Sequence, residues 1–148
     1  VPTPSDRYSH GHHESVLRSH TWRTAENSAG FLLPHLLQGQ SVLDVGCGPG
    51  TISADLARRV APGRVTGIDL APEVIEVARQ SAEGIDGVDL AFQVDDIYQL
   101  SFDDSSFDVV YAHQVLQHLS DPVRALREMR RVLVPGGLVA VRDADYGN

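Results

Sequence analysis

The sequence predicts a single α/β domain built on a doubly wound, mainly parallel sheet with helices on both faces. Three observations carry that expectation. Strand-like and helix-like segments alternate after residue 40, Pro-Gly and Asp-Pro pairs punctuate the helices, and acids and glycines gather where strand-like segments end.

A chain of 148 residues, 42% hydrophobic, is long enough for one core and too apolar for a disordered coil. No run approaches the roughly 18 continuous apolar residues that span a bilayer. Residues 1–20, polar and rich in histidine and serine, do not look like a signal peptide. Twenty acids face twelve bases, all arginine, for a formal charge of −8, which makes nucleic acid a poor partner. Arg124, Arg127, Arg130 and Arg131 form the only basic strip and are expected on the solvent side of a helix. Cys47 is the only cysteine, so no intramolecular disulfide can form and a reducing cytoplasm is the expected setting.

Residues 42–45 make the first expected strand. Ile52, Leu56 and Val60 then recur every four residues in a helix that Pro62-Gly63 ends. Residues 65–69 form the second strand. Pro72 suits the first turn of the next helix, where its missing amide hydrogen has no consequence, and Val74, Val77 and Ala78 supply the buried face. Gly84 and Gly87 bracket the exit to a third strand, residues 90–94, whose Gln93 and preceding Asp89 suit a position nearer the edge. After a turn at residues 103–106, residues 107–112 make the fourth strand.

Asp121-Pro122 starts the last helix, with the aspartate capping orphan amides. Val123, Leu126, Met129 and Val132 are expected to face the core, leaving the arginines outward. Pro135-Gly136-Gly137 turns the chain into a fifth strand, residues 138–141. Ahead of the sheet, Ala25, Ala29, Leu32, Leu33 and Leu36 trace a helical face, so residues 1–38 are expected to form a cap and residues 39–148 the core.

Ligands of parallel sheets lie beyond the carboxyl ends of the strands, where strand order reverses. Asp44, Gly46, Asp69, Asp96 and His113 all fall at or just past such ends. Gly46, Gly48 and Gly50 let the backbone approach a ligand and take positive φ. The helix that follows offers unpaired amides to an anionic group. Asp69, 19 residues after Gly50, can accept both hydroxyls of a ribose. A dinucleotide fingerprint reads Gly-x-Gly-x-x-Gly. Here Gly46-Cys47-Gly48-Pro49-Gly50-Thr51 brings the third glycine one residue early, so the pyrophosphate cradle is not reproduced.

Residues 42–50, Asp69, residues 96–102, residues 107–110 with 115–122, and residues 131–137 together resemble the motifs of class I S-adenosylmethionine-dependent methyltransferases. The likeness covers about residues 38–142 and is closest to the small-molecule branch that includes quinone and sterol methyltransferases. It implies a Rossmann-like fold, S-adenosylmethionine as cofactor, and transfer of its methyl group to a small-molecule acceptor by in-line displacement. It further implies that Gly46, Gly48 and neighbouring backbone border the methionine part of the donor, with Asp44, Cys47 and Gly50 also in the cofactor site. Asp69 with Leu70 would hold ribose, and Asp96 with Ile97 would hold adenine. His113 would lie beside the cofactor. Asp44 could accept amide hydrogens of the glycine turn or reach the donor's ammonium.

Two departures matter. Asp95-Asp96 stands where the family has Gly-Asp, making Asp95 a substitute adenine ligand. The family sheet has seven strands, whereas this sequence provides five, so a fragment of a longer protein is expected. An open strand edge at residues 138–141 would invite pairing with a second copy.

His113 is the leading candidate for a general base and His118 the weaker one, since imidazole ordinarily titrates near neutral pH. Tyr8, His10, His12 and His13 cluster near the terminus without a cysteine. They fit an active-site lid with Trp22 better than a metal site. The alternatives to a methyltransferase are an NAD-binding oxidoreductase and a non-catalytic partner domain.

Overall fold

The computed structural model describes residues 23–144. Its sheet has five parallel strands, β1 (Ser41–Val45), β2 (Arg64–Asp69), β3 (Asp89–Val94), β4 (Phe107–His113) and β5 (Leu133–Arg142), in the order β3-β2-β1-β4-β5. The chain runs outward from β1 to β3 and returns to β4 on the other side of β1. The strand order therefore reverses between β1 and β4, which opens a crevice above their carboxyl ends.

Among the described residues the helices are α1 (Ala25–Ser28), α2 (Thr51–Val60), α3 (Pro72–Ala82) and α4 (Pro122–Arg131). The period-2 alternation of the central strands assigns them to two faces. Leu43, Val45, Val110 and Ala112 pack with Ala125, Met129 and Val132. On the other face Val42, Val109 and Tyr111 pack with Leu56, Ala57 and Val60 of α2 and with Ala25, Ala29 and Leu32. Leu32 and Leu56, at most 1% exposed, each contribute about 1.5–3 kcal/mol by leaving water.

Several local expectations change. The residues before β1 do not form one helix. Thr24 and Asn27 cap each other's backbone to start α1, which stops after one turn, and Leu33–His35 forms a separate 3-10 turn around Pro34. Gly30 and Pro34 are poor residues for a continuous helix, yet the small and leucine side chains still reach the sheet.

In α4 the three-residue spacing holds for Met129 and Val132, which are buried, and fails for its first two positions. Val123 is 54% exposed and Leu126 lies near the surface, while Ala125 and Met129 are fully buried, as the four-residue spacing of a true α-turn requires. Arg131 does not point outward with its neighbours. Its guanidinium donates to Glu128, to Asp104, and to the carbonyls of Leu100 and Phe102, pinning the β3–β4 connection to the end of α4. Glu128 also accepts the Leu100 amide, and its bonding to Arg131 holds its carboxyl below the ordinary value.

In α3, Ile75 joins Val74 and Ala78 in the buried face, while Val77 is only half-buried. Pro135-Gly136-Gly137 lies inside β5 rather than before it. Leu133 already pairs with Phe107, and the register with β4 slips before Leu138 meets Val109. A Cβ on Gly137 would meet Leu133 Cγ at 2.7 Å, which explains glycine at that bulge.

Candidate functional site

The turn after β1 is held by its own backbone and by its neighbour strand. Gly46, Gly48 and Gly50 have φ of 69°, 54° and 85°, a region that side chains disfavour. The Gly48 amide donates to Asp69 Oδ2 at 3.2 Å and the Cys47 amide to the Ile68 carbonyl at 2.8 Å. The glycines differ in purpose. A Cβ on Gly50 would sit 2.6 Å from Phe92 Cζ, so the space beside Gly50 is taken by an aromatic ring from β3 rather than left for a ligand. A Cβ on Gly67 in β2 would meet the same ring at 2.6 Å. Cys47 turns inward to pack with Ile75, Ala78 and Phe92. Burial, with the nearby Asp44 and Asp69 charges, pushes its thiol well above the ordinary value, which leaves it inert.

Asp69 closes β2 and is 6% exposed. It accepts the Gly48 amide through one oxygen and the Ala71 amide, also at 3.2 Å, through the other. Burial raises its pKa while those amide bonds oppose the rise. A carboxylate with two oxygens has lone pairs left after two bonds, and Asp69 can use them on a ligand's hydroxyls. Leu70 follows it, half-buried.

Asp44 is not bonded to the glycine turn. Its partner is Ser53 Oγ of α2, at 2.6 Å. Burial pushes the Asp44 carboxyl up to about 7, the Ser53 bond opposes that rise, and the charge of Asp69 adds to it. Ser53 lies on the stripe Ser53, Leu56, Ala57, Val60, so a polar residue on an apolar helix face was the signal for it.

The turn after β3 brings Asp95 and Asp96 next to Asp69, since the Asp95 amide donates to the Asp69 carbonyl at 3.1 Å. The Asp95 carboxylate is turned back on its own loop, where it accepts the Ser101 hydroxyl and amide and the Asp96 amide. Asp96 Oδ1 accepts the Tyr98 amide at 2.8 Å, a local turn that fixes its carboxyl. Ile97 sends its side chain into the core.

Across the crevice, His113 ends β4 and is 9% exposed. Its Nδ1 lies 3.0 Å from the Tyr111 hydroxyl, which in turn donates to the Ser28 carbonyl at 3.1 Å. Gln114 takes φ 53° and accepts from the Arg23 guanidinium at 3.0 Å. His118 belongs to the 3-10 turn Leu116–His118, with its Nε2 3.4 Å from Gln117 Nε2. Composition and motif spacing gave no sign of Arg23, Gln114 or Tyr111, because all three act across long stretches of chain. Tyr8, His10, His12, His13 and Trp22 lie outside the described residues. Among the described residues no group of three or more His, Cys, Asp or Glu side chains is placed to hold a metal ion. Among the described residues no helix is long and apolar enough to cross a membrane.

A parallel sheet with a glycine turn after its first strand and a buried acid closing its second defines a Rossmann-like α/β protein. Residues 43–141 match the methyltransferase domain family, and the chain belongs to that family. It is 37% identical over 150 residues to an uncharacterized methyltransferase of Schizosaccharomyces pombe, covering 97% of this chain and 54% of that protein. It is 42% identical over 103 residues to the ubiquinone biosynthesis O-methyltransferase of Xanthomonas oryzae pv. oryzae, covering 68% of this chain and 41% of that one. A solved SAM-dependent methyltransferase from Methanosarcina mazei superposes with a TM-score of 0.67 at 35% identity, over 74% of this chain and 55% of the other. The chain thus spans about half the length of the relatives it matches.

Proposed function

We propose that this chain binds S-adenosylmethionine in the crevice above β1, β2 and β4 and serves methyl transfer to a small-molecule acceptor carrying an acidic hydroxyl. The observation that carries the reading is the pairing of Asp69 with the glycine turn. One buried carboxylate fixes Gly48 and keeps lone pairs for ribose hydroxyls at the mouth of the crevice. The residues fit the donor. Gly46 and Gly48 would border its methionine part and Asp69 with Leu70 its ribose. Asp96 would meet the adenine amino group while the Ile97 backbone meets the ring.

When bound, the donor supplies a methyl group on a sulfonium. The protein's own work is alignment, exclusion of water, and removal of the acceptor's proton. His113, at the carboxyl end of β4, would take that proton onto its imidazole. Asp44 stays behind the turn, shared with Ser53. The quinone-pathway relative supports a small phenol-like acceptor, and the early third glycine argues against NAD. Residues 1–38 would act as the cap and 39–148 as the donor-binding core. The free outer edge of β5 would pair with a second copy or a further segment, and the single buried cysteine suits the cytoplasm.

Isothermal calorimetry with S-adenosylhomocysteine tests the reading. One equivalent should bind, and Asp69→Ala should lose about 1.5–3 kcal/mol of affinity with the loss of a charge-assisted bond. Binding of NAD in its place, or of neither compound, overturns the proposal. A His113→Gln variant that keeps its full transfer rate across the pH profile removes the base assignment alone.

A further inference from the structure

The Tyr111 side chain is wholly buried, in the middle of a strand, with its hydroxyl between two groups that compete for one hydrogen. The Ser28 carbonyl, 3.1 Å away, can only accept, whereas His113 Nδ1, 3.0 Å away, can donate or accept according to tautomer. If the phenol gave its hydrogen to Nδ1, its oxygen would face the Ser28 carbonyl lone pair to lone pair at 3.1 Å in a buried site. Giving it to Ser28 satisfies both contacts, since Nδ1–H then donates to the phenol oxygen.

We propose that Tyr111 is a positioning residue for His113: its hydroxyl, committed to the cap's Ser28 carbonyl, fixes the imidazole in the Nδ1–H form and makes Nε2 the basic nitrogen. This deepens the functional reading, and its link to catalysis rests on His113 being the base.

The surroundings support a neutral orienting group. Tyr111 lies between Asp44, its register partner on β1, and the guanidinium groups of Arg142 on β5 and Arg23 ahead of α1. Burial, followed by the Asp44 charge, raises the phenol's pKa, so Tyr111 stays protonated and accepts a hydrogen bond without taking the proton. Arg142 donates to the Ser28 carbonyl at 2.9 Å and to the Asn27 carbonyl at 3.2 Å, holding the end of α1 against the sheet. The position of the cap thereby decides which ring nitrogen of His113 is basic.

Nitrogen-15 NMR of the histidine ring tests this on the whole chain, with the His113 signals assigned by their loss in His113→Gln. The neutral wild-type ring should show a protonated Nδ1 and an unprotonated Nε2. In Tyr111→Phe the ring should become a mixture of tautomers. A wild-type ring protonated at Nε2 overturns the proposal without any variant, and so does a Tyr111→Phe ring identical to wild type. The transfer rate of His113→Gln bears only on the base assignment, so the two readings fail separately.

Discussion

The turn after β1 and the turn after β4 border the same crevice but are held in different ways. The first is fixed by glycine backbone, by one strand-end acid 21 residues away, and by a Phe92 ring filling the space beside Gly50. The second hangs on side chains that cross the whole chain: Tyr111 to Ser28 over 83 residues, Arg23 to Gln114 over 91, and Arg142 to the α1 carbonyls over 114 and 115. The β1 side is organised by local sequence within two β-α units. The β4 side is organised by bonds to residues 23–28. The first turn can therefore form from its own two β-α units, whereas the second depends on the segment that precedes β1.

The strongest way to break that contrast is Gly50→Val. A left-handed φ of 85° and a ring 2.6 Å from the new Cβ should together cost about 3–5 kcal/mol, read as a fall in denaturant midpoint. A loss under about 1 kcal/mol would mean that Phe92 yields and that the turn is not set by packing.

Asp44 gives the next effect. Its folded carboxyl titrates near 7 against an ordinary 3.8, so the folded state binds the proton more tightly than the unfolded chain. Its contribution is therefore fully favourable below about 4 and is lost as pH rises to about 7, at up to ~1.4 kcal/mol per pH unit. Asp44→Asn keeps an acceptor for Ser53 and should flatten that part of the pH–stability curve. An unchanged slope would place the titration elsewhere.

Arg142→Gln should have the smallest effect, about 0.5–1.5 kcal/mol, for one exposed and one partly buried bond to backbone carbonyls. Hydrogen exchange should quicken at Ala29 and Leu32 while the amides of α2 keep their protection. Equal loosening of both would erase the distinction between the two turns.

Much of the β1 side was legible in residues 42–69, since a strand, three glycines and a strand-end acid are contiguous patterns with one physical meaning each. The strand-end position of Asp69 and the stripe of α2 follow directly from them. Misreadings occurred where a pattern had two solutions. A spacing of three and a spacing of four both reach Met129 in α4, and only the burial of Ala125 with the exposure of Val123 and Leu126 separates them. Arg131 read as one more surface arginine because its four partners lie on the β3–β4 connection and on Glu128.

The sequence alone determined the parallel α/β architecture, the family motifs and the acids at the strand ends, because alternation and turn chemistry act between near neighbours. Tertiary structure alone decided that Gly50 makes room for Phe92, that Asp44 answers to Ser53, and that the Tyr111 hydroxyl sits between the Ser28 carbonyl and His113 Nδ1. Those outcomes depend on which distant side chains share a buried volume, and no local pattern encodes that.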